Sequence, residues 1–404
     1  MTSRADRTLL LTERAGRVCR LAPADVAFLV AHHAAHFELL PTGRRDVYRV
    51  TPGGFVGVVA APSCRLIVRP KIPLANLFFL LDPLALYPAA HDSSSPEDGR
   101  EALDFLAGQL ARWLRERADA GLHRGYDERQ TAGPFLLGRL DAAEQLRGAA
   151  AHKEQLHCRH DAFTADVLCN RAARSAAELA RASPLLRDET RAALDGALRG
   201  FAEVTAVALT PDVWAALDAA APEMYRPLLD LARLLADALA PGAASGPTPG
   251  PAFLLNLEQV FERFLTRIVS TAVEASRWRA AAQPLLRASV PVAGQPDLNI
   301  RPDVLVLWEG TARLVVDAKW KRLGSTPLVP ADVYQVLAYC SALNVGRAAL
   351  VYPGRRDRAW RYDLERGGSL IIRTLRVTGE REALARSARR LARRLLRDAE
   401  TAPD

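Results

Sequence analysis

The chain is poor in lysine: of the 54 basic residues among its 404, only Lys71, Lys153, Lys319 and Lys321 are lysines and the other fifty are arginines. No CxxC pair joins any of the five cysteines (Cys19, Cys64, Cys158, Cys169, Cys340), which argues against a disulfide framework and a thiolate zinc site. No run approaches the ~18 to 20 apolar residues that cross a bilayer, and the short apolar stretch near the start is mixed with charges, so no membrane association is expected and the expected location is the cytoplasm. A G-x-x-x-x-G-K-[ST] phosphate loop is missing, so this chain is not itself a P-loop nucleotidase. Internal repeats are missing too. What is present is the composition of a folded protein, 49% apolar and 25% charged, and its length suits two or three domains at roughly 150 residues each. The net charge of +8 is compatible with a polyanionic partner without requiring one. In a chain where arginine has replaced nearly every generic surface cation, a retained lysine marks a place where a guanidinium will not serve. Two of the four share the tripeptide Lys319-Trp320-Lys321.

Punctuation and periodicity divide the chain. The segment PGAASGPTPGP, residues 241–251, can neither continue a helix nor build a strand core and reads as a linker. Before it, residues 1–160 hold β-like pieces (46–60 and 64–68) and a polar excursion at 91–99, followed by an amphipathic helix over 101–121; residues 161–240 form an Ala/Leu/Arg-rich helical layer. After the linker, residues 252–378 read as an α/β unit: a helix over 255–275, strands at 285–292, 302–308 and 313–319, a helix over 332–343, and strands at 347–352 and 369–377. Residues 309–311 have the spacing of a three-residue hairpin connection. Residues 379–404 form a basic C-terminal helix and tail with seven arginines, which could track phosphates but more commonly make a solvated face. The expected class is mixed α/β.

Strand alternation puts Asp317 and Lys319 on one face at the end of the buried strand 313–319, and pairing across the hairpin brings Asp303 to the same open end. Burying two carboxylates beside a lysine costs several kcal/mol unless an ion offsets it. Mg²⁺ suits the arrangement, since it takes one or two carboxylates and completes its shell with water, carbonyl and phosphate oxygen. His32, His33 and His36, and His152, His157 and His160, have ligand-like spacing but no companion carboxylate on a convincing helix face.

Pro302-Asp303, fourteen residues, then Asp317-Ala318-Lys319 after a hydrophobic strand resembles the PD-(D/E)xK nuclease superfamily. Glu262, in Val-Phe-Glu-Arg-Phe, is similar to the acidic residue that superfamily carries on its first core helix, and Gln335 with Tyr339 resembles its Q-x-x-x-Y motif. The ordered set GFVGVVAAPSCRLIVRPKIP, RGYDERQTAGPFLLGRLD, HDAFTADVLCNRAAR, NLEQVFERFL, RPDVLVLW, VVDAKWK and VYQVLAYCSAL resembles the McrC subunits of modified-cytosine restriction systems from about residue 46 to 353. The resemblance implies a restriction-endonuclease-like core and an endodeoxyribonuclease that needs Mg²⁺, with Mn²⁺ able to substitute. It implies metal binding by Asp303, Asp317, the Ala318 carbonyl and Glu262, with Lys319 and Gln335 completing the catalytic set. It implies partners as well: double-stranded DNA containing modified cytosine, 5-methylcytosine above all, and an McrB-like hexameric AAA+ GTPase, onto which residues 1–160 would dock and which the chain would stimulate. A RecB-like repair nuclease and a non-catalytic activator of such a motor are the alternatives.

Overall fold

The computed structural model describes residues 7–81, 100–148, 155–239, 251–274, 276–288, 299–324, 326–365 and 367–400. It is mixed α/β and has two compact units, Met1–Gly99 with Leu254–Asp404, and Arg100–Phe253. Composition groups the chain differently, since the first hundred residues fall in one unit with the 252–378 segment. The excursion at 91–99 and nearly all of the linker at 241–251 lie outside the described residues.

The first unit is built on a six-stranded sheet in the order Trp278–Ala282, Val304–Trp308, Thr311–Ala318, Arg347–Gly354, Ser369–Arg376, Arg358–Asp363. The three middle strands are parallel and run through the core as near-continuous Val, Leu and Ile, as strands covered on both faces must. Val315, Ala348, Leu350, Tyr352, Leu370 and Ile372 pack there with Val336 from the helix Pro330–Leu343. The hairpin is tighter than its spacing suggests: Thr311 already pairs with Trp308, and only Glu309 (φ 48°) and Gly310 (φ 85°) form the turn. Two positive φ values match the right-handed strand twist, and the extra residue is absorbed by a bulge between Val306 and Leu307.

The helix expected over 255–275 is Leu257–Val273, preceded by the strand Ala252–Asn256, where Asn256 caps it by accepting from the Glu258 and Gln259 amides. Leu257, Val260, Phe261, Phe264, Leu265 and Ile268 form its buried face, with Phe261 against Trp320 and Phe264 against Phe79 of the helix Leu74–Leu81. The C-terminal helix, Arg381–Glu400, buries Leu384, Leu391 and Leu395 and leaves most of its arginines outward. A four-stranded sheet (Arg7–Thr12, Cys64–Arg69, Phe55–Ala60, Ala252–Asn256) and a three-stranded one (Arg17–Arg20, Val47–Pro52, Phe37–Pro41) complete this unit.

The second unit is mainly helical. The helix Leu168–Ala182 presents a stripe of buried alanines (Ala172, Ala173, Ala176, Ala177, Ala180), small enough for close packing with the amphipathic helix Arg226–Leu239. It also carries a ribbon of Gly125–Gly133 paired antiparallel with Leu156–Thr164 and the short strand Arg139–Leu140.

Candidate active site

The antiparallel register Val304↔Val316 leaves Asp303 and Asp317 next to each other at the open end of the hairpin. Asp317 is 1% exposed and Asp303 8%. The Ala318 amide donates to Asp303 Oδ2 at 2.7 Å, which ties one strand end to the other. Lys319 Nζ stands 2.6 Å from the buried Asp317 Oδ2 as an ion pair, the one cation close to that oxygen among the described residues. The Lys319 amide donates to the Val351 carbonyl at 2.9 Å, which keeps the chain in the sheet up to the lysine.

Glu262 reaches the same cluster from the helix Leu257–Val273, and its Oε2 accepts from Gln283 Nε2 at 2.9 Å. Gln283, in the left-handed region (φ 41°) just after the strand Trp278–Ala282, also donates its amide to the Asp303 carbonyl at 2.8 Å. It therefore holds Glu262 and the Asp303 backbone together. Glu258, one turn earlier, is drawn away into an ion pair with Arg14.

Electrostatics follow from this burial. Asp303 is pushed up to about 8 by desolvation first, then by the charges of Asp317 and Glu262. Desolvation likewise raises Glu262, with Asp317 adding to it. Asp317 is raised too, because burial outweighs the help Lys319 gives its charged form. Burial pulls Lys319 down, but Asp317, Asp303 and Asp332 more than compensate, so it stays a cation. Three carboxyls that resist ionising beside a single ammonium make a site short of positive charge. Among the described residues no three His, Cys, Asp or Glu side chains converge on one ion position. The donor set for a cation is thus the pair Asp303 and Asp317. This fits a hard, hydrated divalent ion, which takes one or two carboxylates and keeps several waters.

Gln335 and Tyr339 share a face of the helix Pro330–Leu343 and bond to each other, Gln335 Nε2 to Tyr339 Oη at 2.8 Å. Neither side chain hydrogen-bonds the carboxylates. A trio of which lysine scarcity marks only Lys321 lies nearer: Asp332, 4% exposed, accepts from Lys321 Nζ at 2.8 Å and from Tyr352 Oη at 2.6 Å. Its partners are 11 and 20 residues away, so only the folded sheet assembles it. His33 and His36 pack edge-on against each other and against Phe37 and Phe55, and burial lowers the His33 imidazole to about 4, leaving it neutral.

The chain is 21% identical over 310 residues to the type IV methyl-directed restriction enzyme EcoKMcrBC of Escherichia coli strain K12, covering 70% of this chain and 87% of that one. Among solved structures it resembles a chain of the tetradecameric assembly of Thermococcus gammatolerans McrB AAA+ hexamers with bound McrC (TM-score 0.46, 16% identity, 95% of this chain and 100% of that chain). A chain of the T. gammatolerans McrBC complex is similar over 67% of this chain and 89% of its own length (TM-score 0.40, 17% identity). The family model for the McrBC 5-methylcytosine restriction system component matches residues 50–353, three quarters of the sequence, and the chain belongs to that family.

Proposed function

We propose that this chain is the Mg²⁺-dependent endodeoxyribonuclease subunit of a modification-dependent, 5-methylcytosine restriction system, with Mn²⁺ able to substitute. The observation that carries the reading is the pair of desolvated carboxylates side by side at the hairpin end, with a single ammonium 2.6 Å from one of them. Asp303 and Asp317 would hold the metal, with the Ala318 carbonyl alongside and Glu262 acting through water from its place on Gln283. Bound there, the metal would supply charge neutralisation at the phosphodiester and a more acidic water. Lys319, kept protonated by its carboxylate neighbours, donates to the attacking water or the phosphate oxygen and offsets charge as the phosphorane develops. Gln335 is a positioning residue in this scheme, its amide fixed by Tyr339.

The partner would be a hexameric AAA+ GTPase, which supplies the nucleotide chemistry that a sequence without a phosphate loop cannot. Tyr126 (78% exposed), Phe135 (77%), Leu136, Leu146 (79%) and Phe163 leave much apolar surface uncovered on the ribbon region of the second unit, and we assign that surface to the GTPase.

The test is cleavage of a 5-methylcytosine-containing plasmid by this chain with its GTPase, GTP and Mg²⁺. Asp317→Asn and Lys319→Ala should each abolish cutting with the melting temperature held within a few degrees. Undiminished cutting in EDTA would overturn the metal mechanism, and undiminished cutting by both variants would leave the chain a non-catalytic activator.

A further inference from the structure

A pocket of about 470 Å³ in the first unit begins one residue beyond Lys319, where Trp320, Lys321 and Arg322 form one wall, and Pro353 to Arg356, at the end of the neighbouring parallel strand, form another. Among the described residues its only acidic lining residue is Glu13, which is 1% exposed and has both oxygens engaged: Oε2 accepts from Trp320 Nε1 at 2.8 Å and Oε1 from the Lys71 amide at 2.9 Å. The rim is cationic. Lys71, Arg322, Arg355, Arg356 and Arg358 all line it, all are exposed, and none has a carboxylate within ion-pair distance among the described residues. Asp357, which stands between two of them in sequence, is spent elsewhere, accepting from Ser387 Oγ at 2.5 Å, the Arg376 amide at 2.9 Å and Arg390 Nη2 at 2.9 Å. The lysine scarcity points to the same place: Lys319 is in the carboxylate cluster, Lys71 and Lys321 line this pocket, and Lys153 lies outside the described residues.

Five like charges around one concavity repel each other unless an anion sits among them. The spacing favours a polyanion over a single phosphate. The Lys321 amide donates to the Lys319 carbonyl at 3.0 Å, which turns the chain into the pocket, and the five cations come from three separate segments around about 470 Å³, while phosphates along one strand of a duplex advance about 3.4 Å per nucleotide along the axis. We propose that this pocket grips the backbone phosphates of duplex DNA next to the phosphodiester held at Asp303 and Asp317, reading charge and not sequence. The inference rests on the nuclease reading for its choice of DNA. A free nucleoside triphosphate is the other source of the same chemistry.

The test uses the full chain carrying Asp317→Asn, so that binding is measured without cutting, and a 25-bp unmodified duplex followed by fluorescence anisotropy from 50 to 200 mM KCl. Adding Arg322→Ala, Arg355→Ala and Arg356→Ala should lower affinity at least tenfold at the low-salt end and reduce the slope of log K against log[salt] by about 2 to 3, near 0.9 per lost phosphate contact. The triple change should leave the melting temperature unchanged and, placed in the chain that keeps Asp317, should leave its Ca²⁺-induced rise unchanged as well. Arg386→Ala, Arg389→Ala and Arg393→Ala, three exposed arginines of the C-terminal helix, should move the slope by less than 1. Equal loss from both triple sets, or no loss from the first, would overturn the inference. So would GTP binding that the pocket triple removes while duplex binding survives. If the wild-type chain with GTPase, GTP and Mg²⁺ cuts nothing, the nuclease reading fails while the salt slope still decides the pocket; normal cutting with an unchanged slope removes the pocket alone.

Discussion

Asp303 carries the clearest pH signature in the molecule. Its carboxyl titrates near 8 in the metal-free fold against an ordinary value of 3.8, with burial the main cause and the Asp317 and Glu262 charges next. A group whose folded pKa is raised favours the folded state most at low pH, and that contribution is lost as pH climbs toward the folded value. The metal-free protein should therefore become less stable between about pH 4 and pH 8 on this account. Asp303→Asn keeps an acceptor for the Ala318 amide and removes the charge. It should raise the metal-free melting temperature at pH 8.5 by about 2 to 4 °C while abolishing cleavage. Saturating Mg²⁺ or Ca²⁺ should raise the wild-type melting temperature more at pH 8.5 than at pH 6, because proton and cation compete for the same oxygens. Scanning calorimetry at the two pH values checks both, and a metal effect independent of pH would count against Asp303 as a ligand.

The hydrogen-bonded trio behind the cluster belongs to the elements that carry it: Lys321 follows the strand Thr311–Ala318, Asp332 opens the helix Pro330–Leu343, and Tyr352 sits in the strand Arg347–Gly354. Burial, with the Asp332 hydrogen bond adding to it, keeps the Tyr352 phenol protonated, so it is a donor at any working pH. Tyr352→Phe takes one of two partners from Oδ2 of a 4%-exposed carboxylate, leaving it the Lys321 ammonium at 2.8 Å, and should cost about 1 kcal/mol. Urea unfolding would read this directly; a loss under ~0.3 kcal/mol would mean water or Lys321 takes the phenol's place. Which elements could be read from sequence follows from their chemistry. Val304–Trp308 and Thr311–Ala318 announce themselves by β-branched runs around Glu309-Gly310, and Leu257–Val273 by its apolar face. Trp278–Ala282 is Trp-Arg-Ala-Ala-Ala, with no strand propensity of its own, and is a strand because Val304–Trp308 offers it an edge. Gly125–Gly133 is as polar as a loop and is held by pairing with Leu156–Thr164. The cluster shows the same limit. Asp303, Asp317 and Lys319 lie along two adjacent strands and can be placed from periodicity alone, whereas Gln283 and Asp332 reach their partners only through tertiary folding.

At the scale of the whole chain, the nuclease-like sheet does not stand on residues 251–404 alone, as the break at 241–251 suggests it should. Trp320, one residue past Lys319, donates to Glu13, and the Leu257 amide donates to the Gly54 carbonyl at 2.9 Å. Asn76 Nδ2 donates to the Gly379 carbonyl at 2.7 Å, and Phe79 packs on Phe264. Removing residues 1–99 would expose that apolar surface and leave the 1%-exposed Glu13 partner, the Trp320 indole, without its acceptor. The 251–404 fragment should accordingly melt without cooperativity. Removing the second unit is a different operation. Joining residue 99 to residue 251 through about twenty Gly/Ser residues, a coil of about 25 Å, keeps every contact named above. That shortened chain should unfold in a single transition and retain the Ca²⁺-induced rise in melting temperature that Asp317→Asn removes. If the ribbon surface with Tyr126, Phe135 and Leu146 is the docking face for the GTPase, it should no longer stimulate GTP hydrolysis or cut DNA when partner, GTP and Mg²⁺ are supplied. Full stimulation by the shortened chain would move the docking face to the first unit, and a cooperative melt of the 251–404 fragment would show that the front sheets contribute nothing to the fold of the nuclease-like core.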